Sequence, residues 1–341
     1  MNVEVNLTDI NTLIITGAGF SKDAGLPLEK DIIPKGLEYC NKYHPELIDN
    51  INKDLIRVLG IKHIHKFTIE EILTKLQIEE YFSPENKDYL KDIFPLESGI
   101  LALFSKTLKI KSPEKLPDYY YNFVKTFNKR TAFITFNNDF LLETIFKDLK
   151  YYWTYLIEEE IENDLTYKDY YYKSSQSWCF NKKPMVTSYL KLHGSFNWHY
   201  CWACNNVRIT QKYFGVSGEP FSLSDRFTQV CQKCRNDAVM KPLIIPPTLI
   251  KYYNLDFIRR LWFNYHKLLR QVENIIIIGT SLRDEDVLLL DSLSFIKGKN
   301  PSLKKLVFIN LDHKLVTKCE TITNFKVQYY PVIEDYLSQN T

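Results

Sequence analysis

The sequence predicts an α/β protein: a Rossmann-like parallel sheet with helices on both faces, an inserted helical block and an inserted four-cysteine zinc module. Three observations carry this. Short apolar runs without a polar face, Leu13-Ile14-Ile15, Ala132-Phe133-Ile134, Ile275 to Ile278 and Leu306 to Ile309, read as strands buried on both faces. The first of them empties into Gly17-Ala18-Gly19-Phe20-Ser21, a small-residue turn that opens a helical pattern. Finally, Cys201-x-x-Cys204 and Cys231-x-x-Cys234, with 26 residues between the pairs, offer four thiolates from two tight turns.

The first strand is expected over 11–16. From about 28 to 125 the pattern is helical: 69–76, the stretch from Gly99 and the stretch from Tyr119 place apolar residues three and four apart. His63 and His65 within this block read as solvated histidines rather than a metal pair. A second strand, 131–135, delivers Phe136-Asn137-Asn138-Asp139 at its carboxyl end, where open α/β sheets bind ligands; Asp139 reads equally well as a cap of the next helix. Residues 150–187 are expected to be irregular, with one short helix or hairpin. A third strand, 188–192, ends on His193-Gly194-Ser195. Lys241 to Thr248 reads as a short strand stopped by Pro246 and Pro247. A helix over 257–272 precedes the strand 274–278. Gly279-Thr280-Ser281-Leu282 then opens another helix, with Ser281, Asp284 and Asp286 suited to its start. The strand 305–309 ends on Asn310-Leu311-Asp312, and 326–330 is a last strand. The expected organisation is a nucleotide-binding domain over 1–27, 126–199 and 241–341, a helical insertion over 28–125 and a zinc module over 200–240.

Bulk properties narrow the function. The 341 residues suffice for one large domain plus a module, or for two domains, and 45% hydrophobic with 25% charged residues describes an ordinary globule. A formal net charge of +3 argues against direct nucleic-acid binding. Met1-Asn2-Val3-Glu4-Val5 lacks the features of a signal peptide, and no apolar run reaches the roughly 18 residues of a membrane span. Seven cysteines, four of them in two metal-type pairs, suggest a reducing compartment, hence a cytoplasmic protein with no membrane partner. Four protein ligands leave zinc no open position, so the ion is expected to be structural, with Cys40, Cys179 and Cys319 outside its site.

Glycines after a strand let backbone N–H groups approach a phosphate, and the helix start behind them favours negative charge. The dehydrogenase fingerprint fails, because position 22 is Lys and no acidic strand end follows about 20 residues on. A P-loop fails for want of Gly-Lys-Ser/Thr.

In order, Gly17-Ala18-Gly19-Phe20-Ser21, Phe136-Asn137-Asn138-Asp139, Leu192-His193-Gly194-Ser195, the two Cys pairs, Gly279-Thr280-Ser281-Leu282 and Ile309-Asn310-Leu311-Asp312 resemble the landmarks of the sirtuin superfamily. The resemblance spans the sheet and zinc module but not the block from about 28 to 125. It implies NAD as substrate. The pyrophosphate would lie on Gly17, Ala18, Gly19, Phe20 and Asp23, with Asn137 and Asp139 at the nicotinamide ribose and carboxamide. His193 would act as base on the ribose, and Gly279, Thr280, Ser281 and Asn310 would line the phosphates and the adenosine ribose. Asn137, His193 and Asp139 are thus the implied catalytic residues, and both Asn137 and His193 are expected at cleft positions away from the core.

The departures are specific. Protein-deacylating sirtuins continue the first loop with Pro-Asp-Phe-Arg, where Pro27 is here followed by Leu28-Glu29-Lys30. Their Phe-Gly-Glu segment, which pairs with the peptide, is replaced by Ile245-Pro246-Pro247-Thr248, poor partners for an added strand. The Gln before the catalytic Asn is Phe136. Gly17-Ala18-Gly19-Phe20-Ser21 with Gly25-Leu26-Pro27, Phe136-Asn137-Asn138-Asp139 and Leu192-His193-Gly194-Ser195 look more like the sirtuin-like NADases of bacterial antiphage defence. That implies NAD hydrolysis to nicotinamide and ADP-ribose, restrained by homo-oligomerisation and by a partner such as a HerA-type ATPase or a short Argonaute. The alternatives are an NAD-dependent protein deacylase and a non-catalytic nucleotide sensor or nucleic-acid-associated subunit.

Overall fold

A computed structural model describes residues 7–82, 87–108, 110, 115–127, 130–155, 161–163, 186–201, 203–209, 231, 233–234, 240–245, 255–284 and 286–340. Its strands are β1 (Thr12–Thr16), β2 (Thr131–Thr135), β3 (Tyr152–Thr154), β4 (Ile161–Asn163), β5 (Val186–Lys191), β6 (Gly194–Cys201), β7 (Val207–Ile209), β8 (Met240–Ile244), β9 (Asn274–Ile278), β10 (Lys305–Ile309) and β11 (Gln328–Tyr330). Seven of them form one sheet in the order β11-β10-β9-β1-β2-β5-β3, with every neighbouring pair parallel.

Successive residues of a strand point to opposite faces, and all five residues of β1 and of β2 are buried. Both faces of the central sheet are therefore covered, as a Rossmann-like fold requires. The apolar runs form strands because burial on two faces rewards β-branched residues, about 1.5–3 kcal/mol for each large side chain. Helices supply the cover. Asp256–Leu269 buries Phe257, Ile258, Leu261, Trp262, Tyr265 and Leu268 at three- and four-residue spacing.

The chain order reverses at β1: β2 and β5 lie on one side, β9, β10 and β11 on the other. A crevice at the carboxyl ends of the strands opens where order reverses.

Between β1 and β2, after the one-turn Ala18–Ser21 helix, run the helices Glu29–Tyr43, Pro45–Leu59, Ile69–Phe82, Lys87–Thr107 and Asp118–Thr126. Pro45–Leu59 shows why they form. Pro45 sits in its first turn, Leu47, Ile48, Ile51 and Leu55 make one buried stripe, and Gly60 ends it at φ +67°. The first four helices pack around a second apolar cluster that also takes in Phe196 of β6 and Ile244 of β8. The helical wall is thus tied to the second, smaller sheet, whose order is β4-β7-β6-β8.

The sequence reading misses part of this second sheet. His193-Gly194-Ser195 looks like a strand end followed by a turn, yet β6 starts at Gly194. Gly194 has φ +75°, and a Cβ there would come 2.1 Å from the Leu243 carbonyl oxygen, so only glycine lets the chain pass from one sheet to the other. The described part of 150–187 contains β3, an added edge of the main sheet, β4 in the second sheet and the first residues of β5, so it shows neither the helix nor the hairpin expected; the rest of that stretch lies outside the described residues. The helix after β9 starts at Val287 rather than at Ser281, so 279–284 lies in a loop at the crevice. The last strand is shorter than read, Gln328–Tyr330. His63 precedes the short 3-10 turn Ile64–Lys66 and His65 lies within it, both exposed, as read. Among the described residues no helix is long and apolar enough to cross a membrane.

Candidate nucleotide site and thiolate cluster

One rank of hydrogen bonds brings the site loops to a common height. Beyond each strand the sheet ladder continues by one residue: Gly17 N–H donates to Ile278, Gly279 to Ile309, Asn310 to Tyr330, Phe136 to Thr16 and Leu192 to Thr135, at 2.9–3.1 Å. The loops after β1, β2, β5, β9, β10 and β11 therefore open together onto a cavity of about 760 Å3. Gly17, Ala18, Gly19, Phe20, Asp23, Asn137, Asp139, His193, Gly279, Thr280, Ser281 and Asn310 all line it. Ile32, Thr68, Phe104 and Leu108 of the helical block form its other wall.

The glycines are required by contact between two loops. A Cβ on Gly17 would meet the Gly279 carbonyl oxygen at 2.8 Å, one on Gly19 the same oxygen at 2.8 Å, and one on Gly279 the Phe20 nitrogen at 2.2 Å. Gly279 also has φ +62°. Gly19 N–H donates to Gly279 and Phe20 N–H to Gly17. Ala18 N–H heads the short Ala18–Ser21 helix, where a first-turn amide has no acceptor within the helix. Phe20 anchors the loop: its ring packs against Tyr120 and Phe123, and Tyr120 Oη donates to its carbonyl at 2.6 Å. Tyr119 Oη donates to Asp23 at 2.9 Å.

Asn137 differs from the free cleft residue that its position suggests. Its Nδ2 donates to the Gly17 carbonyl (2.9 Å) and to Ser21 Oγ (3.0 Å). Both amide N–H groups are then engaged, which leaves Oδ1, an acceptor, for a ligand. Asn138, with its amide oriented to satisfy its neighbours, donates to the carbonyls of His193 and Gly194. Asp139 is buried and caps as well as lines: Oδ1 accepts from Leu141 N–H at 3.0 Å. The His193 imidazole stands edge-on to Phe136, ring centroids 5.1 Å apart at 74°, and its carbonyl accepts from Ile245 N–H. Asn310 braces the opposite loop by donating to the Thr280 carbonyl at 2.8 Å.

Under the Asn137–Asp139 turn lies a buried ionic network that the sequence reading does not pick out. Lys191 Nζ donates to Glu143 Oε1 at 2.8 Å and to the Asp139 carbonyl, and Tyr189 Oη donates to Glu143 Oε2 at 3.0 Å. Burial pushes the Glu143 carboxyl up while Lys191 pulls it back. The signal was a lysine in a strand expected to be buried; a buried ammonium needs a partner. A second unforeseen group is Arg283, whose guanidinium pairs with Glu29 and Glu70 at the cavity wall.

The four thiols of Cys201, Cys204, Cys231 and Cys234 lie within 4.8 Å of one another, with Cys201 and Cys234 3.7 Å apart and Cys204 and Cys231 3.6 Å apart. Zn–S bonds of about 2.3 Å in a tetrahedron place sulfurs about 3.8 Å apart, so the set fits zinc. Burial pushes the Cys231 thiol up, but the N–H groups of Cys234 and Lys233 and the neighbouring thiols outweigh it and bring it down to about 7. Cys40 and Cys319 are buried elsewhere, and burial pushes Cys319 up to about 12. Cys179 lies outside the described residues.

No protein-family model and no curated protein sequence matches the chain. Among solved structures it is similar to Sir2Tm bound to a propionylated peptide, with 14% identity over 98% of this chain and 93% of that one and a TM-score of 0.41. It is also similar to a mutant Sir2 homologue in complex with 2'-O-acetyl ADP ribose, with 12% identity over 100% and 95% and a TM-score of 0.45. A third is a structure addressing the mechanism and regulation of Sir2 enzymes, with 13% identity over 98% and 92% and a TM-score of 0.43. At these identities and TM-scores the likeness assigns this chain neither activity nor residue roles.

Proposed function

We propose that the protein is a sirtuin-like NAD hydrolase that cleaves NAD to nicotinamide and ADP-ribose, and that it serves as the NAD-depleting effector of an antiphage defence system. The convergence of six strand-end loops on one cavity, within the roughly 300–1,000 Å3 usual for ligand sites, carries the reading. The ordered Gly-Ala-Gly, Asn-Asn-Asp, His-Gly-Ser and Gly-Thr-Ser motifs supply its chemistry.

Hydrolysis breaks the bond between ribose C1' and the nicotinamide nitrogen, and a water gives its oxygen to the ribose and releases a proton. Ala18 N–H and the adjoining helix start favour the diphosphate. Asn137 Oδ1 would accept a hydrogen bond from the incoming water or from the carboxamide, its nitrogen holding it in place. Asp139 would orient the ribose hydroxyls with the carboxylate oxygen that does not cap Leu141. His193, held by the Phe136 ring, would contact a ribose hydroxyl as base or orienter. The cavity walls would limit the access of bulk water to an electron-deficient ribose.

Cys201, Cys204, Cys231 and Cys234 would hold one structural zinc that takes no part in the reaction. The helical insertion over 28–125 would build a homo-oligomer and meet a HerA-type ATPase or a short Argonaute.

The test is NAD loss catalysed by purified protein, alone and with its partner. His193→Ala and Asn137→Ala should each lower it about 100- to 10,000-fold per folded molecule. Full turnover in both variants would place the chemistry elsewhere, and an inert wild type in both settings would end the enzymatic reading.

A further inference from the structure

The loop after β9 is shaped to present one residue. Leu282 is fully buried at φ +49°, a left-handed conformation that leucine holds only where its surroundings dictate it. Its N–H donates to Thr280 Oγ1 at 3.3 Å. The chain thereby turns Leu282 into the core and leaves Arg283 on the cavity wall. There one guanidinium nitrogen pairs with Glu29 and the other with Glu70. Glu29 opens the first inserted helix and Glu70 lies in the first turn of the third, so Arg283 joins the phosphate-side loop to two helices of the opposite wall. Both carboxylates line the same cavity.

The charges are unequal in number and in hold. Two carboxylates share one cation. Glu70 is buried, so losing the guanidinium would strand its charge away from water. Glu29 is about a quarter exposed, and burial followed by its contact with Glu70 pushes its carboxyl up to about 7. Glu29 is therefore the partner that releases arginine more readily.

We propose that Glu29, Arg283 and Glu70 form a ligand-responsive clasp, in which the diphosphate of a bound nucleotide takes one arm of the Arg283 guanidinium from Glu29 while Glu70 keeps the other. The proposal rests on the nucleotide reading above. The guanidinium fork suits it, because its two nitrogens serve two acceptors independently and match phosphate geometry. Glu29 then competes with the ligand, and binding in the cavity is felt at the start of the Glu29–Tyr43 helix.

The experiment compares binding of ADP, and of adenosine as an uncharged control, to the full chain by calorimetry. At about pH 8, where Glu29 is ionised, Glu29→Gln should bind ADP about two- to fivefold more tightly than wild type, since a competing charge is removed and the shape kept. Arg283→Ala should bind ADP about 10- to 100-fold more weakly, as loss of a charge-assisted contact does. Arg283→Lys, which keeps charge without the fork, should fall between them and serves if the alanine variant unfolds. Adenosine affinity should be equal in all. If wild type binds ADP but Glu29→Gln binds it no better, or if adenosine shifts as ADP does, the clasp is overturned while the nucleotide site stands. If wild type binds neither compound, both fall.

Discussion

The side-chain amide of Asn137 bonds the carbonyl of Gly17 at 2.9 Å, so the end of β2 holds the first loop in place. With its second bond to Ser21, this residue is a strut as well as a ligand candidate. Asn137→Ala should therefore do two things at once. It should suppress NAD cleavage, and it should lower stability by about 1–2 kcal/mol, because two acceptors of the loop lose their donor. A sequence reading that puts Asn137 simply at a cleft expects no stability loss; thermal unfolding of the variant separates the two.

Gly279 and Gly298 offer an internal comparison. Gly279→Ala would place a Cβ 2.2 Å from the Phe20 nitrogen at φ +62°, so the two loops must part. We expect a loss of about 1–3 kcal/mol together with loss of nucleotide binding. Gly298 has nothing within 4 Å and lies in the Ile296–Lys299 helix. There alanine should stabilise by about 0.4–1 kcal/mol and leave binding unchanged. Denaturation midpoints of the two variants measure both effects.

The sheet was legible because burial on two faces writes itself into a sequence as unbroken apolar runs: β1, β2, β9 and β10 lie where Leu13, Phe133, Ile276 and Val307 put them. The strand-end residues were legible for the same reason, since Asn137, His193 and Asn310 follow those runs directly. Of the second sheet only β8 was, as the run before Pro246. β6 mixes Asn197, His199 and aromatic residues, and its start depends on the Gly194 contact with Leu243, which is remote in sequence. The Lys191–Glu143 pair and the Arg283 bridge likewise join residues whose proximity only the fold creates. The glycines were found for a partial reason: their close approach is to each other's loops.

Lys191 and Glu143 are fully buried, so their removal should be asymmetric. Lys191→Met strands a carboxylate and should cost about 3–5 kcal/mol, whereas Lys191→Met with Glu143→Leu should recover much of that. Because Lys191 also bonds the Asp139 carbonyl, the double variant should stay folded yet bind nucleotide less well. Chemical denaturation together with ADP binding checks both halves; full affinity in the double variant would show that the turn needs no brace.

Zinc should be found at one ion per chain by elemental analysis, and Cys204→Ser should lose it along with cooperative folding. Cys319→Ser, at a buried thiol outside the cluster, should keep the ion. Metal-free protein with full stability would remove the zinc assignment.

Glu29 carries a pH dependence whose sign follows from its surroundings. Burial, and then Glu70, push its carboxyl up to about 7, with Arg283 pulling the other way, while the unfolded chain titrates near the ordinary 4.5. A folded state with the higher value binds the proton more tightly. The group therefore contributes stability that is fully present below about 4.5 and is lost as pH rises through about 7. Glu29→Gln has no such proton to lose. Its urea midpoint, relative to wild type, should climb as pH rises from about 4.5 to about 7 and level off above that window. Parallel curves for the two proteins would mean that Glu29 is ionised throughout and fully satisfied by Arg283, in which case the two carboxylates do not compete for the guanidinium.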